Sequence, residues 1–205
     1  MSKVYLTILS ILITALSFGQ SETDNSILIT SDNSIDSTAI LDLFEIEGIQ
    51  YKKLVFTGEN LKDKKYHIRV KEIWDGEIKS ESDIINTANF PKGFQTINDT
   101  VFKIKVISKF VKNSKLKMKF IFPGVIISKE FDAIDSEDYS LRNIIKNNRS
   151  KIEPGEYFYI FAYLLPYEKG GNKYWCKVEN SNAEVENWGV KFGIKHYLIF
   201  EMKFE

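Results

Sequence analysis

Two neighbouring segments of the chain alternate between apolar side chains and lysines, with Ile121 as the one exception. The first runs from Phe102 to Val106, the second runs from Leu116 to Phe122, and Lys112-Asn113-Ser114 lies between them. A period of two places every apolar side chain of a strand on one face of its sheet. These segments therefore predict an antiparallel hairpin with one buried face and one lysine-rich face.

The remaining pattern predicts further strands at the spacing of an all-β domain. Tyr66 to Trp74 and residues 77 to 85 flank Asp75-Gly76, a pair that favours the tight turn of another hairpin. Other candidate strands are Tyr51 to Thr57, Val125 to Phe131 and Lys195 to Phe204. Two packed antiparallel sheets would bury the apolar faces of all these strands.

Two segments carry helix signals. Residues 39 to 48 fit either a short helix capped by Asp36 and ended by Gly48, or an alternating strand. The sequence SEDYSLRNIIKNN predicts a short helix, with Ser136 as its N-cap and acidic residues in its first turn.

The most aromatic segment is KIEPGEYFYIFAYLLPY, residues 151 to 167. Apolar or aromatic side chains fill both the odd and the even positions from Tyr157 to Leu165. A strand that is apolar on both faces is covered on both faces, so we expect a central strand and not an aromatic binding surface. Gly170-Gly171-Asn172 would then turn the chain back into a strand from Tyr174 to Val178.

The hexapeptide IEPGEY, residues 152 to 157, resembles the I/L-x-P-G-x-Y corner of immunoglobulin-like and fibronectin-type sandwiches. The resemblance implies that Tyr157 is the corner tyrosine, whose hydroxyl bonds to the backbone just upstream, and that residues 156 to 165 are strand F. Tyr159 stands where antibody domains have a cysteine, so their disulfide is not expected. The expected fold is a mostly β, antiparallel, immunoglobulin-like sandwich with one short helix.

The first 20 residues have the pattern of a secretory signal peptide. Lys3 precedes an uncharged apolar run from Val4 to Phe18, which small residues follow. The run is shorter than the roughly 20 apolar residues that a membrane-spanning helix needs. We expect cleavage near residue 20 and no transmembrane span afterwards. The leader resembles those of exported bacterial proteins, which implies the periplasm, the cell surface or the extracellular space.

The next segment, residues 21 to 38, is rich in Ser, Thr, Asp and Asn, a composition that favours a flexible stretch before the fold. Its one apolar patch, Ile27 to Ile29, could still pair as an edge strand. The predicted sandwich domain then covers residues 39 to 205.

The charge and the cysteine content narrow the functional classes. The formal net charge is zero, and only Arg69, Arg142 and Arg149 among the 28 basic residues are arginine. Specific readout of nucleic acid favours arginine, so we expect no nucleic-acid partner. Cys176 is the only cysteine, which excludes an internal disulfide, and we expect it to be a buried, inert thiol.

Residues that support catalysis are scarce. His67 and His196 are the only histidines, and both lie in predicted strands. The sequence has no G-x-S-x-G, H-E-x-x-H or C-x-x-C motif, so we expect neither an enzyme nor a cofactor. The acidic segment from Glu130 to Asp138 leaves calcium or a glycosidase-type carboxylate pair as alternatives, although acids before a helix also serve capping.

Two features could bind a partner. The lysine-rich face could attract an anionic polymer or lipid head groups, or it could be a solvated surface that deters edge pairing. Its members are Lys103, Lys105, Lys109, Lys115, Lys117 and Lys119. Trp188, in the loop Asn187-Trp188-Gly189, could stack on a partner or pack in the core.

The sequence as a whole favours an exported, non-catalytic module that binds another molecule of the envelope or extracellular space. The expected partner is an unknown protein or glycan. The alternative is a carbohydrate-binding or carbohydrate-active protein.

Overall fold

Two antiparallel sheets face each other in this protein. The structure is a computed structural model, and it describes residues 26–32, 34–35, 37–145, 150–175 and 184–205. Sheet A has the order β7-β6-β5-β2-β1-β9, and sheet B has the order β4-β3-β13-β10-β8. The predicted leader and Cys176 lie outside the described residues.

The elements have the following bounds. Sheet A consists of β1 (Ile27–Asp32), β2 (Ile49–Thr57), β5 (Val101–Val111), β6 (Lys115–Phe122), β7 (Val125–Asp132) and β9 (Ser150–Ile152). Sheet B consists of β3 (Tyr66–Trp74), β4 (Glu77–Asn86), β8 (Ser140–Asn143), β10 (Phe158–Leu164) and β13 (His196–Phe204). A separate hairpin joins β11 (Tyr167–Lys169) to β12 (Asn172–Tyr174), and the described α-helices are α1 (Thr38–Ile46) and α2 (Trp188–Phe192). Single 3₁₀ turns occupy Glu59–Leu61, Thr87–Asn89, Lys92–Phe94 and Val185–Asn187.

The prediction of a mostly β protein with antiparallel, sandwich-like sheets is confirmed, and sheet A additionally curls into a half-barrel. Both predicted hairpins are present. Asp75 and Gly76 turn β3 into β4 with φ of 50° and 85°, and Asn113 and Ser114 turn β5 into β6 with φ of 68° and 52°. The tight turns and the alternating patterns therefore set the register of four of the longest strands.

Aromatic side chains from the two sheets meet in the core. Phe161 on β10 stacks on Phe200 of the neighbouring β13, with ring centroids 4.5 Å apart. Phe120 of sheet A reaches across to Phe200 at 5.6 Å, and Phe56 reaches Phe204 at 5.3 Å. Edge-to-face and offset pairs of this kind add to the free energy gained from burial alone.

The aromatic run is a core strand, as predicted. β10 lies between β13 and β8, and its residues from Ile160 to Leu164 are all buried. The pairing of β10 with β13 shifts register between Tyr159 and Phe161. This irregularity is the reason that Phe158 and Phe161, which are three residues apart, both lie on the side of sheet B that faces sheet A.

The predicted helix from Ser136 is wrong. The Ser136 hydroxyl accepts a hydrogen bond from the Asp138 backbone N–H at 3.2 Å, and the chain then enters β8. Gln50 of sheet A holds this strand: its amide donates to the Tyr139 carbonyl at 2.6 Å and accepts from the Leu141 N–H at 2.5 Å. These bonds to β2 and the ladder to β10 satisfy the backbone as a strand, so tertiary partners outweigh the capping signal.

Three smaller expectations are also corrected. The sheet begins before residue 39, because β1 pairs with both β2 and β9, and this confirms Ile27 to Ile29 as strand although not at an edge. The Gly170-Gly171 turn joins β11 to β12 and does not return the chain onto β10. Residues 39 to 48 resolve as the helix α1, so α1 and α2 replace the single helix expected at Ser136.

Candidate binding site on the outer face of sheet A

The lysine-rich face predicted from the sequence is present on the outer side of β5 and β6. Lys103, Lys105, Lys117 and Lys119 are exposed, and Lys109 and Lys115 are half-buried. Lys109 stands directly opposite Lys117 in the ladder. Like charges opposite each other are destabilising unless anions offset them, and here Glu47 pairs with Lys109 and Glu130 pairs with Lys117.

Half of these six lysines have carboxylate partners. Lys109 pairs with Glu47 at 2.6 Å, Lys117 with Glu130 at 3.8 Å, and Lys115 with Asp132 at 2.5 Å. The hydrogen bond from Lys109 lowers the pKa of Glu47 below its ordinary value. Lys103, Lys105 and Lys119, in contrast, form no ion pair with any residue that the structure describes.

A cleft of about 470 Å³ opens between α1 and the outer side of β2 and β5. Its floor is Tyr51 and Ile107, and the side toward α1 is formed by Ile40 and Phe44. Lysines stand along its polar side: Lys53, Lys103 and Lys105. Binding pockets for small molecules are commonly about 300 to 1,000 Å³ and mostly apolar, with a few polar groups that fix orientation.

The helix α1 packs loosely over this cleft. None of its residues is buried, and Ile46 is 83% exposed. The helix ends at Ile46, and Gly48, two residues later, has a φ of 61° and open space where a Cβ would lie. A nine-residue helix has little stability of its own in water, so α1 depends on its few contacts along β2 and on the exposed ion pair between Glu47 and Lys109.

The acidic segment divides between ion pairs and a second groove. Asp138 pairs with Lys173, in addition to the pairs of Glu130 and Asp132 with lysines of β6. Asp135 and Glu137 line a groove of about 980 Å³ beside the end of α1 and the tip of the β5–β6 hairpin. Across the described ranges, no three His, Cys, Asp or Glu side chains are grouped to hold a metal ion.

Trp188, for which the sequence left both partner stacking and core packing open, packs in the core. It begins α2 and is 2% exposed, with its ring 6.1 Å from that of Tyr197. The next residue, Gly189, packs against the β3–β4 turn so closely that a Cβ there would lie 2.6 Å from the Cα of Gly76. Trp188 is therefore part of a packed cover over sheet B, and its ring is not offered to a partner.

A buried charge network occupies the outer face of sheet B. Glu201 on β13 accepts hydrogen bonds from Arg69 at 2.6 Å and from Lys71 at 2.8 Å, and Lys71 also bonds to Glu186. The side chains of Lys71 and Glu201 are only 9% and 4% exposed. Burial opposes the charge on Lys71, but its hydrogen bonds to Glu186 and Glu201 outweigh that effect and raise its pKa.

Tyr157 joins the same face and does not make the expected bond to the backbone just upstream. Its hydroxyl bonds to Nδ1 of His67 at 2.6 Å, and the Arg69 guanidinium lies 4.0 Å from its ring centroid. The other ring nitrogen of His67 bonds to Asp83 at 2.7 Å. Tyr157 lies beside β3, so a side-chain partner on that strand takes the place of the backbone partner.

Comparisons of the chain with protein-family models, with curated proteins and with solved structures found no match. Fold and site thus define the class directly: a mostly β protein with two antiparallel sheets, one of which carries a lysine-lined cleft. Within the described residues, no helix has the length and apolar character needed to span a bilayer.

The sequence pattern located the lysines but missed the apolar part of the cleft. Tyr51 and Ile107 are half-buried on the outer sides of β2 and β5, outside the alternating lysine pattern. The available signal was the pair Ile40 and Phe44, four residues apart on one side of a helix. That signal was usable only if residues 39 to 48 were helical, which the sequence left open.

Proposed function

We propose that this chain is an exported, non-catalytic β-sandwich module that binds an anionic molecule of the envelope or extracellular space through the outer face of sheet A. One observation carries the proposal: Lys103, Lys105 and Lys119 share an exposed face and have no carboxylate partner among the described residues. The leader pattern over residues 1 to 20 supports export.

The three lysines do not lack partners because carboxylates are scarce, since the chain has 28 acidic and 28 basic residues. Enough carboxylates exist to neutralise every cation, and the charge network of sheet B is fully formed from them. A cationic patch that is left uncompensated attracts anions by long-range steering. The proposal therefore concerns an anionic ligand and not a neutral one.

The test compares binding of the mature protein to dextran sulfate and to uncharged dextran by fluorescence anisotropy. The double variant Lys103→Gln/Lys105→Gln should weaken dextran sulfate binding about thirtyfold, since each lysine near an anionic surface contributes on the order of 1 kcal/mol. Lys191→Gln/Lys195→Gln removes the same charge from exposed positions at and after α2 and serves as the matched control.

Equal losses in the two double variants would reduce the effect to net charge and contradict a site on sheet A. Equal binding of charged and uncharged dextran would instead support the neutral-carbohydrate alternative. Binding to dextran sulfate should also fall steeply with added salt, since salt screens exposed charges.

We further propose that the fold is a divergent member of the immunoglobulin-like sandwiches. Support comes from the Pro154-Gly155 corner before Tyr157 and from the position of β10 between an earlier strand, β8, and the later β13. Strand F of an immunoglobulin domain has the same arrangement between strands C and G. An experimental structure that places β10 at a sheet edge would contradict this assignment.

A further inference from the structure

The cleft beneath α1 is more apolar than a site for a simple polyanion needs to be. Ile40, Phe44, Tyr51 and Ile107 supply apolar surface on opposite sides of it. A charged polymer lying on a flat lysine face would gain nothing from these side chains, because it has no apolar surface to bury. The combination of apolar side chains and lysines in one mixed cleft favours a ligand that has both characters.

The cations stand at a definite place on the rim. Lys103 and Lys105 are two residues apart on β5 and therefore project from the same face. Lys53 is directly opposite Lys105 in the ladder between β2 and β5, and it is paired with Asp32 at 2.6 Å. The charge available to a ligand is thus that of Lys103 and Lys105, immediately beside the apolar floor.

We infer that the ligand is a single anionic amphiphile, such as an alkyl phosphate, sulfate or carboxylate. This inference rests on the proposed function and names the class of ligand. The anionic head pairs with Lys103 and Lys105. The alkyl part lies between α1 and the sheet, where it covers Phe44 and Ile107.

The orientation of α1 favours a single bound molecule over a bilayer surface. Asp42 and Glu45 are exposed on α1. With 3.6 residues per turn, they lie roughly on the opposite side of the helix from Ile40 and Phe44, which line the cleft. A bilayer that covered the exposed Leu43 and Ile46 of α1 would also have to desolvate these two carboxylates, which is costly. A ligand inside the cleft meets the apolar side chains and the lysines.

The experiment measures binding of inorganic phosphate and of butyl, hexyl and octyl phosphate to the mature protein by calorimetry, below the concentrations at which the amphiphiles form micelles. Affinity should rise about two- to fourfold with each added methylene, because each one buries further apolar surface. Lys103→Gln/Lys105→Gln should lower the affinity for all alkyl phosphates by a similar factor and leave this chain-length dependence intact.

Two substitutions in the cleft should have the opposite effect: they should weaken the dependence on chain length and leave anion binding intact. Phe44→Ser and Ile107→Thr should flatten the dependence on chain length while binding of dextran sulfate stays within twofold of the original chain. Ile126→Thr makes the same substitution as Ile107→Thr on the same face, at a position on β7 that is 61% exposed and not part of the cleft. It should behave as the unaltered protein does. Circular dichroism confirms that each variant is folded.

The outcomes separate the two proposals. If octyl phosphate binds no tighter than inorganic phosphate while dextran sulfate still requires Lys103 and Lys105, the inference of an amphiphilic ligand is wrong. The proposed anion-binding function is then still supported. If neither ligand binds, both are wrong. Equal chain-length dependence in Ile107→Thr and Ile126→Thr would overturn the placement of the alkyl part in the cleft.

Discussion

The outer faces of the two sheets differ in whether their charged side chains are buried and paired or exposed and without a partner in the described part of the chain. On sheet B, Lys71 and Glu201 are buried, bonded to each other and to neighbouring charges, and α2 begins with the fully packed Trp188. On sheet A, Lys103 and Lys105 are exposed, have no partner among the described residues, and border a cleft under a helix that buries none of its own side chains.

The difference separates charges that maintain the fold from charges that remain for a partner. Breaking a buried pair leaves a desolvated charge and costs about 3 to 5 kcal/mol, whereas exposed pairs contribute about 0 to 1 kcal/mol. The same residue types therefore have different consequences on the two faces. Substitutions matched between the faces make this contrast measurable.

The largest expected effect concerns the apolar cover of sheet B. Trp188→Ala should lower the free energy of unfolding by about 4 kcal/mol, since truncation of a buried tryptophan leaves a large cavity. Leu43→Ala on α1 should cost under about 0.5 kcal/mol because Leu43 is exposed on the cover of sheet A. Urea unfolding measures both values. Similar losses would contradict the contrast between the two covers.

A matched pair of charge deletions comes next. Glu201→Gln should destabilise by about 3 kcal/mol, because Lys71 and Arg69 lose a buried partner. Glu130→Gln removes the partner of Lys117 on sheet A, where the pair is exposed at 3.8 Å, and should cost under about 0.5 kcal/mol. Denaturant midpoints at constant slope provide the comparison. A Glu201→Gln variant as stable as Glu130→Gln would show that the network is not structural.

Alkaline pH should act on sheet B with a smaller effect. Burial raises the pKa of Tyr197 from 10.0 to about 12, so its contribution to stability is complete below pH 10 and is lost as the pH rises toward 12. At pH 11 the loss from this one group is about 1 kcal/mol. Tyr197→Phe should reduce the slope of stability against pH between 10 and 12. An unchanged slope in this variant would assign the alkaline sensitivity to other groups.

The smallest effect is expected from the lysines of the cleft. Lys103→Gln/Lys105→Gln should change the free energy of unfolding by less than about 0.5 kcal/mol, because neither lysine has an ion pair to lose within the described part of the chain. Thermal unfolding in the absence of ligand tests this expectation. A loss above about 1 kcal/mol would mean that these side chains support the fold and are not held for a ligand.

The sequence was sufficient wherever local pattern and tertiary packing agree. The β5–β6 hairpin and its lysines could be predicted from a period of two. The turn at Asp75-Gly76 could be predicted because this pair tolerates positive φ angles, which both residues adopt. These features depend on neighbours in the chain. Ser136 shows the opposite case, because Gln50, which holds the strand after it, lies 89 residues from Tyr139 in the chain.

Only the lysines of the candidate site could be predicted from the sequence. Alternation showed that Lys103 and Lys105 face outward, but nothing in the sequence placed α1 above them. The position of Trp188 was left open between a binding loop and the core, because its neighbours Asn187 and Gly189 are typical of loops. In the structure Gly189 is instead required by the close approach of Gly76.

Binding of an anionic amphiphile to the outer face of sheet A is tested most directly by an NMR titration of the ¹⁵N-labelled mature protein with octyl phosphate. We expect amide shift changes along β5 and α1 and around Tyr51, with the amides of β3, β4 and β13 unchanged. That result would place the ligand on the face that carries Lys103 and Lys105. Shift changes centred on β3 and β13 would contradict the central claim, because they would place the ligand on the face whose charges are already paired within the fold.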